Sequence, residues 1–354
     1  MTTFPILTND TIRRLPLTSA SGSVVDFVMA QMYPTGAEPH GFNIDAPALR
    51  RRYESAEAVF RNVPLISAAR VAFPPIARII LNMRCRYNCG VQNLCHREGL
   101  PDDVANRDLS LFDMATLANV RQALGLTTAK LIGLETTPIA RFCDFVRQVK
   151  RIGFSSATVT CALGIASRSL PSLVVAGIDR MTCSVHQFNG EVEQALNALL
   201  TQANRHALPV KLNWILRPEN ICGLSQLIQY ISENHLTARL FCPISPAHVG
   251  SGGRDYPLHW TDVSDLFAHD IVSVRVTEYT ISCRRKYLAT LRSGAALDLS
   301  VPLVAIRDAG SIPPVCAACH WKDRCEEGLL GCGVRLGPDG SYYSCLLRPD
   351  LRAI

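Results

Sequence analysis

The stretch Ile79-Ile80-Leu81-Asn82-Met83-Arg84-Cys85-Arg86-Tyr87-Asn88-Cys89-Gly90-Val91-Gln92-Asn93-Leu94-Cys95-His96-Arg97-Glu98-Gly99 carries a short apolar run directly into a loop with three cysteines. The run at 79–83 reads as a β-strand, being short, apolar and bounded by polar residues. Three thiolates leaving a strand on one loop can hold three irons of a four-iron cluster, with the fourth iron open to an exogenous ligand. A structural metal site would normally close with a fourth protein ligand. In parallel α/β sheets the chemistry gathers at the carboxyl ends of the strands, which is where this loop begins. The stretch therefore predicts such a sheet.

Working outward, short β-rich runs alternate with helical patterns. The predicted strands are 79–83, 130–134, 157–161, 180–185, 210–216 and 238–243. Between them, apolar residues recur at three- and four-residue spacing, as at Phe142, Phe145, Val146 and Val149. Strand and helix repeated six times predict an α/β fold, a partial (β/α)6 version of the TIM-type barrel. The expected organisation is an N-terminal extension at 1–75, the barrel core at 76–250, a connecting segment at 251–312 and a Cys-rich tail at 313–354. Within the extension, residues near 46–60 read as a helix.

The bulk numbers suit a compact enzyme. The chain has 354 residues, 48% of them hydrophobic and 19% charged, with a net charge of +6. That length can bury a substantial core, and the composition does not suit a disordered or nucleic-acid-coating protein. The modest positive balance is compatible with an anionic small substrate. The run Arg50-Arg51-Arg52 reads as a solvated helix face. The amino terminus shows no secretory signal, and no apolar run is long enough to span a bilayer. Fourteen cysteines without an export signal point to a reducing, cytoplasmic setting, where thiols serve metals or sit in cores.

These residues resemble the radical S-adenosylmethionine (radical SAM) superfamily, and within it the branch of the GTP 3′,8-cyclase of molybdenum-cofactor synthesis. The likeness runs roughly from Arg78 to Arg348. The superfamily's first motif is Cys-x3-Cys-x2-Cys. Here Cys85-x3-Cys89 and the trailing His96-Arg97-Glu98-Gly99 match, while the last gap, ending at Cys95, is five residues. Gly133-Leu134-Glu135-Thr136-Thr137-Pro138 stands where the family has Gly-Gly-Glu-Pro. Thr158 to Gly164 stands at its Thr-Asn-Gly turn, and Ala176 to Val185 matches the phrase leading through its fourth strand. Val210-Lys211-Leu212-Asn213 matches the fifth strand, and Arg335-Leu336-Gly337-Pro338-Asp339-Gly340, ending at Cys345, matches the auxiliary-cluster segment. Three departures stand out: Leu134 replaces a glycine, the third-strand turn lacks its Asn, and His186 stands where relatives often carry Asp.

The resemblance implies that Cys85, Cys89 and Cys95 ligate a [4Fe-4S] cluster that binds S-adenosylmethionine (SAM). Gly133, Glu135, Gly164, Ser184 and Asn213 would hold the SAM. It implies a radical enzyme acting on a small, anionic nucleotide- or sugar-like metabolite of a specialised pathway. A flavodoxin- or ferredoxin-type donor would supply electrons, and neither a membrane nor a nucleic-acid polymer is an expected partner. The ending Asp350-Leu351-Arg352-Ala353-Ile354, in place of the Gly-Gly expected there, points away from the cyclase proper. In the tail, Cys316, Cys319, Cys325 and Cys345 supply four thiolates for a second [4Fe-4S] cluster, with Cys332 as an alternative fourth ligand or a core thiol. Rival readings remain: zinc at either site, a descendant whose longer loop holds no cluster, a radical SAM peptide maturase, and a non-enzymatic metal-binding scaffold. Cys143, Cys161, Cys183, Cys222, Cys242 and Cys283 lie in apolar patterns and read as core residues. No catalytic residue is identifiable.

Overall fold

The computed structural model describes residues 24–28, 47–84, 100–105, 107–109, 114–242, 258–307, 309–322, 325–348 and 350–353. The three-cysteine loop, with Cys85, Cys89 and Cys95, lies outside these residues. The architecture is the expected α/β one. Strands β2 (Ile76–Ile80), β3 (Thr128–Ile132), β4 (Ser156–Ala162), β5 (Arg180–Val185), β6 (Val210–Ile215) and β7 (Thr237–Phe241) pair in sequence order, all parallel. Helices α3 (Ile139–Arg151), α4 (Leu163–Ala176), α5 (Gly190–Arg205) and α6 (Leu224–Glu233) provide the later crossovers, with α2 (Met114–Ala123) before β3 and α1 (Pro47–Phe60) upstream.

Alternation along the strands makes two unlike faces. One face carries Ala77, Ile79, Ala129, Leu131, Val159, Cys161, Met181, Cys183, Leu212, Trp214 and Leu240. All are buried in one core with Phe142, Val146 and Val149 of α3 and with Leu170, Leu199 and Ile231 of the later helices. Helices cover that side because their apolar stripes recur at helical spacing, and burying each Leu or Phe contributes about 1.5–3 kcal/mol. The opposite face carries Arg78, Lys130, Thr158, Thr160, Thr182, Ser184, Lys211, Asn213 and Arg239, in step across the ladders. A face this polar is built to meet a polar ligand, since unpaired polar groups are costly to bury.

Among the described residues, the six-stranded unit is extended at both ends into one sheet of 13 strands. Beside β7, β10 (Ala296–Pro302) pairs parallel, followed by antiparallel β9 (Arg284–Leu291) and β8 (Ile271–Tyr279), then β1 (Leu65–Val71) parallel to β8. Beside β2 lie β11 (Val334–Leu336) in parallel and then antiparallel β12 (Tyr342–Tyr343) and β13 (Arg352–Ala353). The tail thus flanks the strand that feeds the three-cysteine loop. Helix α1 anchors on the β9 side: Arg285 Nη1 donates to Tyr53 Oη and Glu57 Oε1, both at 3.0 Å, and Phe60 stacks on Tyr287 with centroids 4.5 Å apart. Among the described residues, no helix is long and apolar enough to cross a membrane.

Two strands lie earlier than the sequence pattern placed them. The first ends at Ile80 instead of Met83, and the second at Ile132 instead of Leu134. The cause is local. Gly133 has φ +107°, which ends β3, and the residues after Ile80 turn to hydrogen-bond with that corner. The third strand instead runs on to Ala162, and α4 starts at Leu163 with no intervening turn.

Candidate functional site

At the carboxyl ends of β2 and β3, Asn82 is the organising residue. It is buried; its Nδ2 donates to Thr137 Oγ1 at 2.8 Å, and its Oδ1 accepts from Thr136 Oγ1. Thr136 Oγ1 also lies 2.8 Å from the Arg84 carbonyl oxygen. A side chain at Gly133 would put its Cβ 2.7 Å from Asn82 O and 2.9 Å from Asn82 N, and the backbone there is left-handed. Only glycine fits that corner without strain. The loop's two stems are therefore fixed: Arg84 by Thr136 and by an ion pair to Asp108 at 3.0 Å, and Leu100 by packing with Ile80, Val104, Ile132 and Tyr343.

Glu135 follows this corner and reaches across to β4, where one carboxylate oxygen accepts the Ala162 N–H at 2.9 Å. Burial raises its pKa, opposed by its own backbone N–H and that of Ala162. Next in line, register pairs Ala162 with Ser184, Ser184 with Asn213, and Asn213 with Arg239. The expected site residues Glu135, Ser184 and Asn213 thus lie along one edge of the polar face. Gly133 shapes its start. Gly164 stands apart, exposed on the first turn of α4. Thr160 Oγ1 and His186 Nδ1 are buried with no hydrogen-bond partner among the described residues. Burial, then Arg217, lowers the His186 pKa and keeps its ring neutral. Orphaned polar atoms at strand ends suit a bound polar cofactor.

The same edge continues into a charged cluster that sequence reasoning missed. Asp298 of β10 pairs with Arg239 in register and forms ion pairs with Lys211, and with Lys286 at 3.1 Å. Burial alone would disfavour its charge, but Lys286, Lys211 and Arg239 together hold Asp298 well below the usual carboxylate range. Burial pushes Lys211 down to about 8, against the pull of Asp298. No local pattern could have revealed a cluster drawn from four separate strands.

The tail builds a second, different site. Cys316, Cys319, Cys325 and Cys345 all line one recess of about 470 Å³, its open mouth included. Its other walls are chiefly apolar, among them Val304, Ile312, Leu329 and Leu347. Trp321 N donates to Cys319 Sγ at 3.4 Å and Gly328 N to Cys325 Sγ at 3.2 Å. Burial raises the pKa of Cys316, of Cys345 and of Cys325, the last to about 12, so all three are protonated until something displaces the proton. Cys332 points elsewhere: its thiol donates to Glu327 Oε2 at 3.1 Å, and Glu327 pairs with Arg284 at 2.7 Å. Cys283, read from the sequence as a core thiol, also lines the recess. Among the described residues no three His, Cys, Asp or Glu side chains converge on a point where one metal ion would sit. The four tail thiols share this recess without closing on a single point. The apolar walls and the N–H donors to sulfur fit a metal–thiolate site.

No protein-family model matches the chain. Among curated proteins, it is 23% identical over 285 residues to a protein named probable GTP 3′,8-cyclase from Sulfurisphaera tokodaii, covering 77% of this chain and 81% of that one. Proteins of the same name from Thermoplasma volcanium (23%; 77% and 80% covered) and Metallosphaera sedula (22%; 77% and 81%) are similar to the same degree. Among solved structures, Streptococcus suis SuiB aligns with TM-score 0.38 and 14% identity, over 61% of this chain and about half (48%) of that one. The resemblance to the GTP 3′,8-cyclase branch that the motifs carry thus extends along most of the chain, to relatives named as enzymes.

Proposed function

We propose that this chain is a radical SAM enzyme that abstracts hydrogen from a small, anionic nucleotide- or sugar-like metabolite in a specialised biosynthetic pathway. The observation that carries this reading is the row Glu135, Ser184, Asn213 and Arg239 along the carboxyl edge of the polar face, beginning beside the stem of the three-cysteine loop. Its agreement with the motifs, and the chain's likeness to named cyclases, support it. Cys85, Cys89 and Cys95 would hold a [4Fe-4S] cluster, which would supply the electron for reductive cleavage of SAM to methionine and a 5′-deoxyadenosyl radical.

The chain's own residues bind and orient. Gly133 keeps the backbone corner open, and the Glu135 carboxylate, which accepts the Ala162 N–H, would receive the SAM ammonium. Asn213, whose side chain makes no hydrogen bond among the described residues, offers an amide to the same ligand. Arg239, Lys211 and Lys286 give the neighbouring floor a net positive charge after Asp298 is counted, which draws an anionic substrate. The tail thiols Cys316, Cys319, Cys325 and Cys345 hold the second cluster. A flavodoxin- or ferredoxin-type protein donates electrons in the cytoplasm.

The test is direct. Anaerobically purified protein should be brown, and on dithionite reduction it should convert SAM slowly to 5′-deoxyadenosine and methionine. Colourless protein holding only zinc would overturn the proposal.

A further inference from the structure

Five thiols, one more than a four-iron cluster needs, line the tail recess. The fifth, Cys283, comes from the turn between β8 and β9, far from the tail in sequence. It is buried and packs with Leu303, Val304 and Ile312, so one role for it is simple core filling. Two features go beyond that. Its backbone is left-handed, with φ +48°, a conformation costly for a residue with a side chain and the kind of strain that collects at functional sites. The neighbouring residue is also the floor against which the tail is pressed. Gly328, with φ +70°, lies so close to the Ser282 carbonyl that any Cβ would clash with it, and its N–H holds the Cys325 sulfur at 3.2 Å. The glycine thus brings the Cys325 loop down onto the turn that carries Cys283. Cys332, by contrast, is engaged with Glu327.

We propose that the tail forms a five-thiol site in which Cys283 binds iron in place of a missing tail thiol, Cys325 above all. This rests on the reading of the tail as an iron–sulfur site. In the exchange, the Cys283 sulfur leaves its weak contact with the Thr280 carbonyl, 3.7 Å away, gives its proton to solvent and binds the iron as thiolate. No electron is transferred. The device keeps the cluster bound when one thiol is lost, for instance to oxidation, and ties it to the β8–β9 hairpin.

The experiment uses the full chain carrying Cys85→Ala, Cys89→Ala and Cys95→Ala, so that only tail iron remains. Iron per chain and the electron paramagnetic resonance spectrum of the reduced cluster are read after anaerobic reconstitution. The parent should hold about four irons, and Cys283→Ser should leave that content unchanged. Cys325→Ser should keep at least about half the iron, with shifted g-values, and Cys325→Ser with Cys283→Ser should fall roughly tenfold below the parent. Cys283→Ala adds no β-branch to the left-handed backbone and should act like Cys283→Ser in the double variant, which separates ligation from folding. Cys332→Ser should have no such effect beside Cys325→Ser. If Cys325→Ser alone loses all iron, or if the double variant matches it, Cys283 is not a ligand. If the parent itself binds no iron, the reading of the tail as a cluster site fails first.

Discussion

The edge of the polar face and the tail recess make opposite use of the same chain. The edge is assembled by register: Ser184, Asn213 and Arg239 arrive side by side because their strands are parallel and in step. Its groups are polar, Thr160 Oγ1 and His186 Nδ1 have no hydrogen-bond partner among the described residues, and charge is spread along it. The recess is assembled by loops folding onto the sheet, and its thiols sit among apolar walls with backbone N–H groups directed at sulfur. A regular frame suits a ligand that must be oriented and released. A mostly apolar recess lined with thiols suits a group that must stay. The two sites should therefore fail independently, and variants can be chosen to break one and spare the other.

The largest effect is expected from removing Cys316, Cys319 and Cys325 together as alanines. Tail iron should vanish while reduced protein still cleaves SAM, as iron analysis and chromatography of 5′-deoxyadenosine would show. Next is Asp298→Asn, which leaves Lys211, Lys286 and Arg239 facing one another beneath the edge. Breaking a buried ion pair costs about 3–5 kcal/mol, readable as a lower denaturation midpoint with tail iron retained. The pH dependence has a definite sign. Asp298 has a depressed folded pKa, so its stabilisation is present above the usual carboxylate range and is lost as pH falls below it. Lys211, lowered to about 8, binds its proton more tightly when unfolded, so its contribution to stability should grow as pH rises from about 8 toward the ordinary lysine value. Denaturation curves at several pH values check both, and Asp298→Asn should shrink the acid limb, leaving the part due to Glu278 and Glu327, whose arginine partners, despite burial, also lower their pKa.

Gly133→Ala comes third. Left-handed backbone and the approach to Asn82 should together cost about 3 kcal/mol of stability and weaken SAM binding. Smallest is Glu135→Gln, which keeps the shape but removes the charge. SAM affinity measured by calorimetry should drop by about 2 kcal/mol, the scale of one charged hydrogen bond. In the unaltered protein, SAM affinity should fall on acidification through the raised Glu135 pKa, because the ammonium requires the carboxylate.

How much of this was legible in the residues follows from how each part is built. The six strands and their helices are local patterns, so alternating β-rich and helical text located all of them. Their ends were missed by two or three residues at β2 and β3 because the left-handed turn at Gly133, packed against the Asn82 backbone, decides where they stop. Glu135 and Asn213 were visible as members of phrases set at strand ends. Asp298 was not, because its partners Lys211 and Lys286 come from other strands and pairing across a sheet leaves no mark in either sequence. Cys283 was hidden in the same way: its surroundings are apolar, and only the fold brings it to the tail. Between Cys345 and Cys332, which spacing left open, the structure puts Cys345 in the recess and turns Cys332 toward Glu327.

The division of labour between the two sites is tested most directly by one paired measurement: iron per chain and 5′-deoxyadenosine formed on reduction, in the unaltered protein and in the variant with Cys85, Cys89 and Cys95 changed to alanine. The unaltered protein should hold about eight irons and cleave SAM. The variant should keep about four irons and form no 5′-deoxyadenosine. A variant that still cleaves SAM, or one that loses all its iron with the first three thiols, would contradict the assignment of SAM chemistry to the strand edge and of a separate cluster to the tail.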